Sequence, residues 1–222
     1  GLDLVVKVNE ININASPAYA NVEITFGPQD THDLQEATDV PCGNSVCDAD
    51  ETPATCPSDC AVNSFKTKSE NNASSGGQMF TIKANRDLTV FSFDIIGKKD
   101  GDSAVLVYTR AGDYQGYEES DSGWELILDK DIVLEKGVRS NLGALDNEVR
   151  IRAGSTHAFY VWAEKGMMYT KGDEFTTQGA PFGSDGSLVI NEGVGTNNLF
   201  QQVTNNAKYS GWIRYYASVS RN

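Results

Sequence analysis

From about Phe80 onward, apolar residues recur at every second position in short runs, and each run is closed within a few residues by turn chemistry. Thr89, Phe91, Phe93 and Ile95 alternate with Ser92 and Asp94, and further runs fall at 105–108, 124–128, 132–134, 149–151, 159–162, 188–190 and 212–219. A period of two belongs to a strand with one face buried, whereas a helix needs a period near 3.6. The separators are Gly97-Lys-Lys-Asp-Gly-Asp, Asp121-Ser-Gly, Gly154-Ser and Gly183-Ser-Asp-Gly, residues that accept tight turns and positive φ. About nine short strands without a helical stretch predict an all-β fold, an antiparallel jelly-roll-like sandwich or a similar barrel. Gly193-Val-Gly195 reads as one more turn, too short a signal for phosphate binding.

The N-terminal end carries its own strand pair. Leu2, Leu4, Val6 and Val8 share one phase, Ile11 and Ile13 continue in the opposite phase, and Val22, Ile24 and Phe26 form a second run. A one-residue slip would turn the apolar set to the other face unless a bulge absorbs it, so a bulge is expected near Asn9. Residues 27–41 open with Gly27-Pro28, show no periodicity beyond one turn around His32–Ala37, and read as a connector. Residues 66–77, polar and Gly-ended, read as a loop. The resulting division is an N-terminal β-hairpin arm and connector (1–40), a disulfide-rich spacer (41–62) and the sandwich (63–222).

All four cysteines lie in the spacer, within nineteen positions and spaced C-x4-C-x8-C-x3-C: Cys42, Cys47, Cys56 and Cys60. An even number of thiols in a segment too small to bury a core reads as two disulfides, in any of three pairings, and hence as an oxidising compartment. The spacing lacks the C-x2-C knuckles of a zinc ribbon. Asp48, Asp50, Glu51 and Asp59 are hard oxygen ligands at a density that suits a structural Ca²⁺. Asp48, Asp50, Thr52 and Asp59 even fall at positions 1, 3, 5 and 12 of a calcium loop, but Pro53 stands where an EF-hand needs Gly. The other reading of these acids is that they are solvated.

The segment Cys42-Gly-Asn-Ser-Val-Cys-Asp-Ala-Asp-Glu-Thr-Pro-Ala-Thr-Cys-Pro-Ser-Asp-Cys60 resembles a Cys-rich element of secreted bacterial and algal proteins, C-G-[ND]-G-x-C-[DE]-x-x-E-T-x-x-T-C-P-x-D-C. Ser45 replaces the usual second Gly of that pattern. The resemblance implies an extracellular spacer between modules. The body is similar in pattern to secreted β-sandwiches of algal, oomycete and bacterial surface proteins, through Val107-Tyr-Thr-Arg-Ala-Gly-Asp-Tyr-Gln-Gly-Tyr117, Ser122-Gly-Trp124, Ala153-Gly-Ser-Thr-His-Ala-Phe-Tyr160 and Gly211-Trp-Ile-Arg-Tyr215. In outline, the order of arm, joint and sandwich resembles glycosylated extracellular fibrils whose subunits exchange N-terminal strands.

Charge and composition narrow the partners. With 31 Asp and Glu against 18 Lys and Arg, the net charge of −13 repels a phosphate backbone, which argues against nucleic acid. No apolar run approaches the roughly 20 residues of a membrane span. Gly1 is expected to follow removal of a signal peptide, leaving a secreted, extracellular or cell-surface chain. Asn14-Ala-Ser and Asn72-Ala-Ser are N-glycosylation sequons in expected loops.

No catalytic residue is assigned. His32 and His157 are the only imidazoles, and no GxSxG, HExxH or Walker pattern occurs. Ser155 and Thr156 beside His157 do not make a triad, because neighbours on a strand point to opposite faces. Asp113, Glu118, Glu119 and Asp121 contain a glycosidase pair only if their separation allows it, and solvated loop acids are the commoner case. Tyr114, Tyr117 and Trp124 around this acidic loop resemble the aromatic equipment of a carbohydrate-binding surface. A two-stranded arm is marginal alone in water, so its apolar face must dock, on its own sandwich or on a neighbouring copy. Head-to-tail addition to copies of itself that does not close gives a helical filament. The expected function is therefore a filament subunit, with a monomeric adhesion or carbohydrate-binding module as the alternative and an enzyme third.

Overall fold

The computed structural model describes residues 2–12, 19–28, 42–48, 51–172 and 178–218. Among them every regular element is a strand. β1 (Leu2–Asn12) and β2 (Tyr19–Pro28) pair with each other as an antiparallel sheet of two strands. The pairing slips between Val8 and Glu10, so Asn9 is the extra residue and the expected bulge is present. Ile13, Asn14 and the turn around His32–Ala37 lie outside the described residues. Residues 1–40 and 41–222 form two compact units.

The larger unit is a sandwich of two sheets. The smaller sheet contains β3 (Cys60–Lys66), β5 (Leu88–Ile96), β8 (Arg139–Asn141), β9 (Val149–Ile151) and β14 (Trp212–Ser218), in the order β3-β14-β5, with β8 and β9 following one another along β5. The larger sheet contains β4 (Ala73–Ala84), β6 (Gly101–Ala111), β7 (Glu125–Leu134), β10 (Thr156–Lys171), β11 (Pro181–Ser184), β12 (Leu188–Asn198) and β13 (Gln201–Lys208). Between them lies one core. β5 contributes Val90, Phe93 and Ile95, β14 contributes Ile213, Tyr215 and Ala217, and Phe80, Ile82, Val107, Phe159, Val161 and Ile190 meet them from the larger sheet. Phe80, Phe93, Phe159 and Tyr209 pack ring on ring at centre, Phe80 and Tyr209 at 4.4 Å. Burying a Phe or Ile side chain contributes roughly 1.5–3 kcal/mol, so this layer dominates the cohesion of the unit.

The centre of the larger sheet is buried on both faces, which simple alternation does not predict. Met79, Ala158, Tyr160 and Val194 point away from the main core and are covered by Tyr114 and Phe200. This explains the unbroken burial from Gln78 to Ile82 and from Ala158 to Val161. A sheet covered on both sides reads as a continuous apolar run.

β10 changes partners along its length. Its pairing with β4 breaks between Trp162 and Met167, around Gly166 at φ 79°. Beyond the break, Thr170 and Lys171 also pair with Lys208 and Ala207 of β13, while β13 pairs with β12 and β12 with β4. β4, β12, β13 and β10 thereby close a ring of hydrogen-bonded strands at one end of the sheet.

Several expectations need correction. β4 begins at Ala73, inside the stretch read as a loop. A Cβ on Gly76 would lie 2.5 Å from the Asn197 carbonyl oxygen, and one on Gly77 2.7 Å from the Tyr160 ring, so these glycines admit a neighbouring strand and do not mark a turn. Gly193 is likewise not a turn residue but part of a bulge in β12, where a Cβ would sit 1.6 Å from the Met79 carbonyl oxygen. The runs at 124–128 and 132–134 are one strand, β7. β3 starts at Cys60, so the last cysteine is already a sheet residue.

Candidate functional site

The cysteine module forms on two interleaved bridges, Cys42–Cys56 and Cys47–Cys60. Loops of this size, closed at separations of 14 and 13, each stabilise by about 3 kcal/mol in the chain-entropy account. The module rests on the small sheet, where Cys47 and Cys60 pack with Tyr216 and Phe91 and the Cys47 N–H donates to Ser218 Oγ at 3.0 Å. Asp59 has no solvent-exposed surface. One of its oxygens accepts the Gly43 and Asn44 N–H groups at 2.6 and 2.9 Å. Burial alone would push its carboxyl up, but those amides, with Ser45 and Ser58, hold it below the usual range. Ser45 closes this turn at φ 73°, the left-handed region, which accounts for the Gly that the resembling pattern carries there.

The other acids of the module serve the same local geometry. Glu51 accepts the Asp48 N–H, and Asp48 accepts from the Asn44 side chain. Asp50 lies outside the described residues. Glu51 Oε1 and Asp59 Oδ1 are buried without a donor. Among the described residues, the one gathering of three metal-capable side chains is Cys42, Cys56 and Asp59. Two of its members are joined as a disulfide, which removes them as thiolate ligands.

The aromatic loop departs from the expected sugar platform. Tyr114 is fully buried and its hydroxyl donates to the Glu192 carbonyl oxygen at 3.3 Å; burial pushes it up to about 12. It supports the outer face of the larger sheet and offers no surface to a ligand, because the chain must bring Tyr114 inward to cover Met79 and Tyr160. Tyr117 is exposed, but the Arg110 guanidinium lies 3.2 Å from its ring centroid and occupies that face. Trp124 donates its indole N–H to the Tyr117 carbonyl oxygen and packs toward Tyr160 and Phe200. Asp113 and Glu118 accept turn amides from Gln115 and Gly116. His157, paired between Ile82 and Ala111, is half-buried with Nδ1 unpartnered, and burial lowers its pKa below the usual range.

Asn72 is exposed at the start of the larger sheet. Its Oδ1 accepts the Lys171 N–H at 2.8 Å and its Nδ2 reaches Glu70 at 3.3 Å, leaving the side chain accessible.

The arm supplies the remaining geometry. The register sets Leu4 opposite Phe26, Val6 opposite Ile24, Val8 opposite Val22 and, past the bulge, Ile11 opposite Ala20. Cross-strand partners share a face, so all eight positions fall on one side of the hairpin. Asp3, Val5, Lys7, Glu10 and Asn12 with Gly27, Thr25, Glu23, Asn21 and Tyr19 fall on the other. Without the bulge Ile11 would change sides.

Sequence reasoning missed the polar cluster centred on Asp94, a buried acid on β5. Arg214 grips it through two bonds at 2.7 and 3.1 Å, Arg139 approaches at 3.3 Å and Asn141 donates at 2.7 Å. Burial raises its carboxyl above the usual range, with the two arginines pulling it back. The only sequence signal was an acid inside an apolar run. No family of known proteins and no curated protein matches this chain. Among the described residues no helix is long and apolar enough to cross a membrane.

Proposed function

We propose that the protein is a structural subunit of an extracellular filament or cell-surface fibril, assembled by adding the β1–β2 arm to a sheet of a neighbouring copy. The observation that carries this reading is the one-sided arm. A two-stranded sheet with eight apolar positions on one face, and only Val5 and Tyr19 on the other, is unstable in water until the apolar face is covered. The two disulfides fit an oxidising compartment such as the cell exterior. On the acceptor side, β3 and β7 are outermost strands and expose Val62 and Val133. Such edges are templates for strand addition. Asn72 and Asn14 would carry glycans, and a structural Ca²⁺ would satisfy the open oxygens of Glu51 and Asp59.

The test is electron microscopy of the native full-length protein beside a chain lacking residues 1–40 and a Val6→Glu variant. Filaments from the full chain and soluble monomers from both altered chains are expected. Filaments from the truncated chain, or none from the intact one, overturn the proposal. Comparing denaturation with and without a calcium chelator tests the metal separately.

A further inference from the structure

Basic groups of this acidic chain converge on Trp212, at the start of β14. The Arg139 guanidinium lies 4.7 Å from the indole centroid and Lys66 Nζ lies 5.8 Å from it. Behind them Arg214 is paired with Asp94, whose oxygens are already occupied by Arg214, Arg139 and Asn141. Two arginines thus share one fully buried carboxylate, with Lys66 beside them, on a molecule whose net charge is −13. Among the described residues, exposed Lys66 forms no ion pair, and Arg139 meets Asp94 through Nε, which leaves its two terminal nitrogens without a protein partner there.

A cleft of about 330 Å³ opens between these groups, with Lys66, Thr67, Asn71, Ile96, Arg139 and Trp212 in its walls. That volume is at the lower end for small-ligand sites. Asn71 adds an independent mark. Its Oδ1 is shielded from solvent without a donor, on a backbone held at φ 52°. A buried acceptor left open costs free energy, so its cleft favours a ligand that brings a donor.

We infer that this cleft binds an acidic saccharide, a uronic-acid residue of a polysaccharide. The carboxylate sits between the Arg139 fork and Lys66, the sugar ring lies against Trp212, and, with the Asn71 side chain turned into the cleft, a ring hydroxyl donates to its Oδ1. A planar fork and an ammonium are suited to a carboxylate, and an indole to the apolar face of a pyranose. The hydroxyl requirement separates this ligand from an acidic peptide, which brings carboxylates without neighbouring hydroxyl donors. Its test does not depend on filament formation.

The experiment is calorimetric titration of the full-length protein with oligogalacturonate, oligomannuronate and oligoglucuronate, alongside neutral maltohexaose and oligoglutamate. At least one uronate should bind while maltohexaose does not, and binding should weaken with salt. Lys66→Ala, which breaks no ion pair, and Asn71→Ala should each weaken it about tenfold, the scale of a lost hydrogen bond to a charged group for Lys66 and of an unmet acceptor for Asn71. Trp212→Phe should reduce it further. Equal binding of maltohexaose, absence of binding by all three uronates, or unchanged affinity in Lys66→Ala overturns the inference. Oligoglutamate binding as tightly as the best uronate also overturns it, in favour of an acidic peptide.

Discussion

The Phe200 N–H donates to the Tyr160 hydroxyl at 3.3 Å while the two rings meet edge to face, 4.9 Å between centroids. This grip holds Phe200 at φ 53°, a left-handed conformation costly for a bulky side chain. The same hydroxyl bonds Thr196 at 2.7 Å, so one tyrosine ties the β12–β13 turn to the outer face of the larger sheet.

Removing that ring should destabilise in an order that exposes the backbone strain. Phe200→Ala is expected to cost about 3 kcal/mol, the low end for deleting a buried Phe. Phe200→Gly loses the same ring but relieves about 1 kcal/mol of left-handed strain, so it should be the milder change. Urea denaturation of both variants checks the order, and an Ala variant at least as stable as the Gly variant refutes it.

Ser45 should respond in the opposite direction. At φ 73°, Ser45→Gly is expected to be neutral to stabilising by up to about 1 kcal/mol, the relief of strain being partly offset by the freer unfolded chain. Ser45→Val should lose more than 1 kcal/mol, roughly the price of a β-branched residue in that region. Thermal unfolding with both disulfides intact measures the pair, and a less stable Gly variant would contradict the strain assigned here.

His157 makes stability depend on pH. Its folded pKa lies below the ordinary 6.5 because burial disfavours the imidazolium, so the unfolded chain binds the proton more readily. The contribution is fully present above pH 6.5 and is lost as pH falls through the depressed folded value. His157→Gln should therefore show a flatter change in urea midpoint between pH 7.5 and 5.5 than the parent. Identical slopes would count against burial of the neutral ring.

Gly193 is the position where any side chain is excluded. A Cβ there would stand 1.6 Å from the Met79 carbonyl oxygen, which belongs to the backbone of a paired strand and cannot swing away. Gly193→Ala is expected to cost about 3 kcal/mol or to prevent folding, following the cost of overpacking. Gly112→Ala, with open space around it but φ at 83°, should cost only about 1–2 kcal/mol. Expression and denaturation of the two variants together separate steric exclusion from backbone preference.

The strands that could be read in advance are those with one wet face. β6 and β14 alternate as expected, and the Val8-to-Ile11 slip located the bulge, because a period of two leaves a visible phase error. β5 keeps the expected phase only at Phe93 and Ile95, because an irregularity opposite Arg214 and Tyr215 turns Phe91 to the other face, against Tyr216. β13 was missed since Gln201, Thr204 and Asn206 give no apolar rhythm; its place comes from pairing with β12 and β10. β4 was missed in part because Gly76 and Gly77 serve close approach, which in sequence looks the same as turn chemistry. The cysteine count announced the bridges but left their pairing open. The Tyr114 burial and the Asp94 cluster depend on which strands become neighbours, a fact that no local pattern contains.

The closed ring of β4, β12, β13 and β10 bears on how the molecule would carry load. A sheet with a free margin can be peeled one hydrogen bond at a time, whereas a ring offers no margin there and its bonds must give way together. Tension across the body would thus be resisted by the ring in shear, and rupture would begin at edge strands such as β3, β7 and β11, where each backbone is held from one side only.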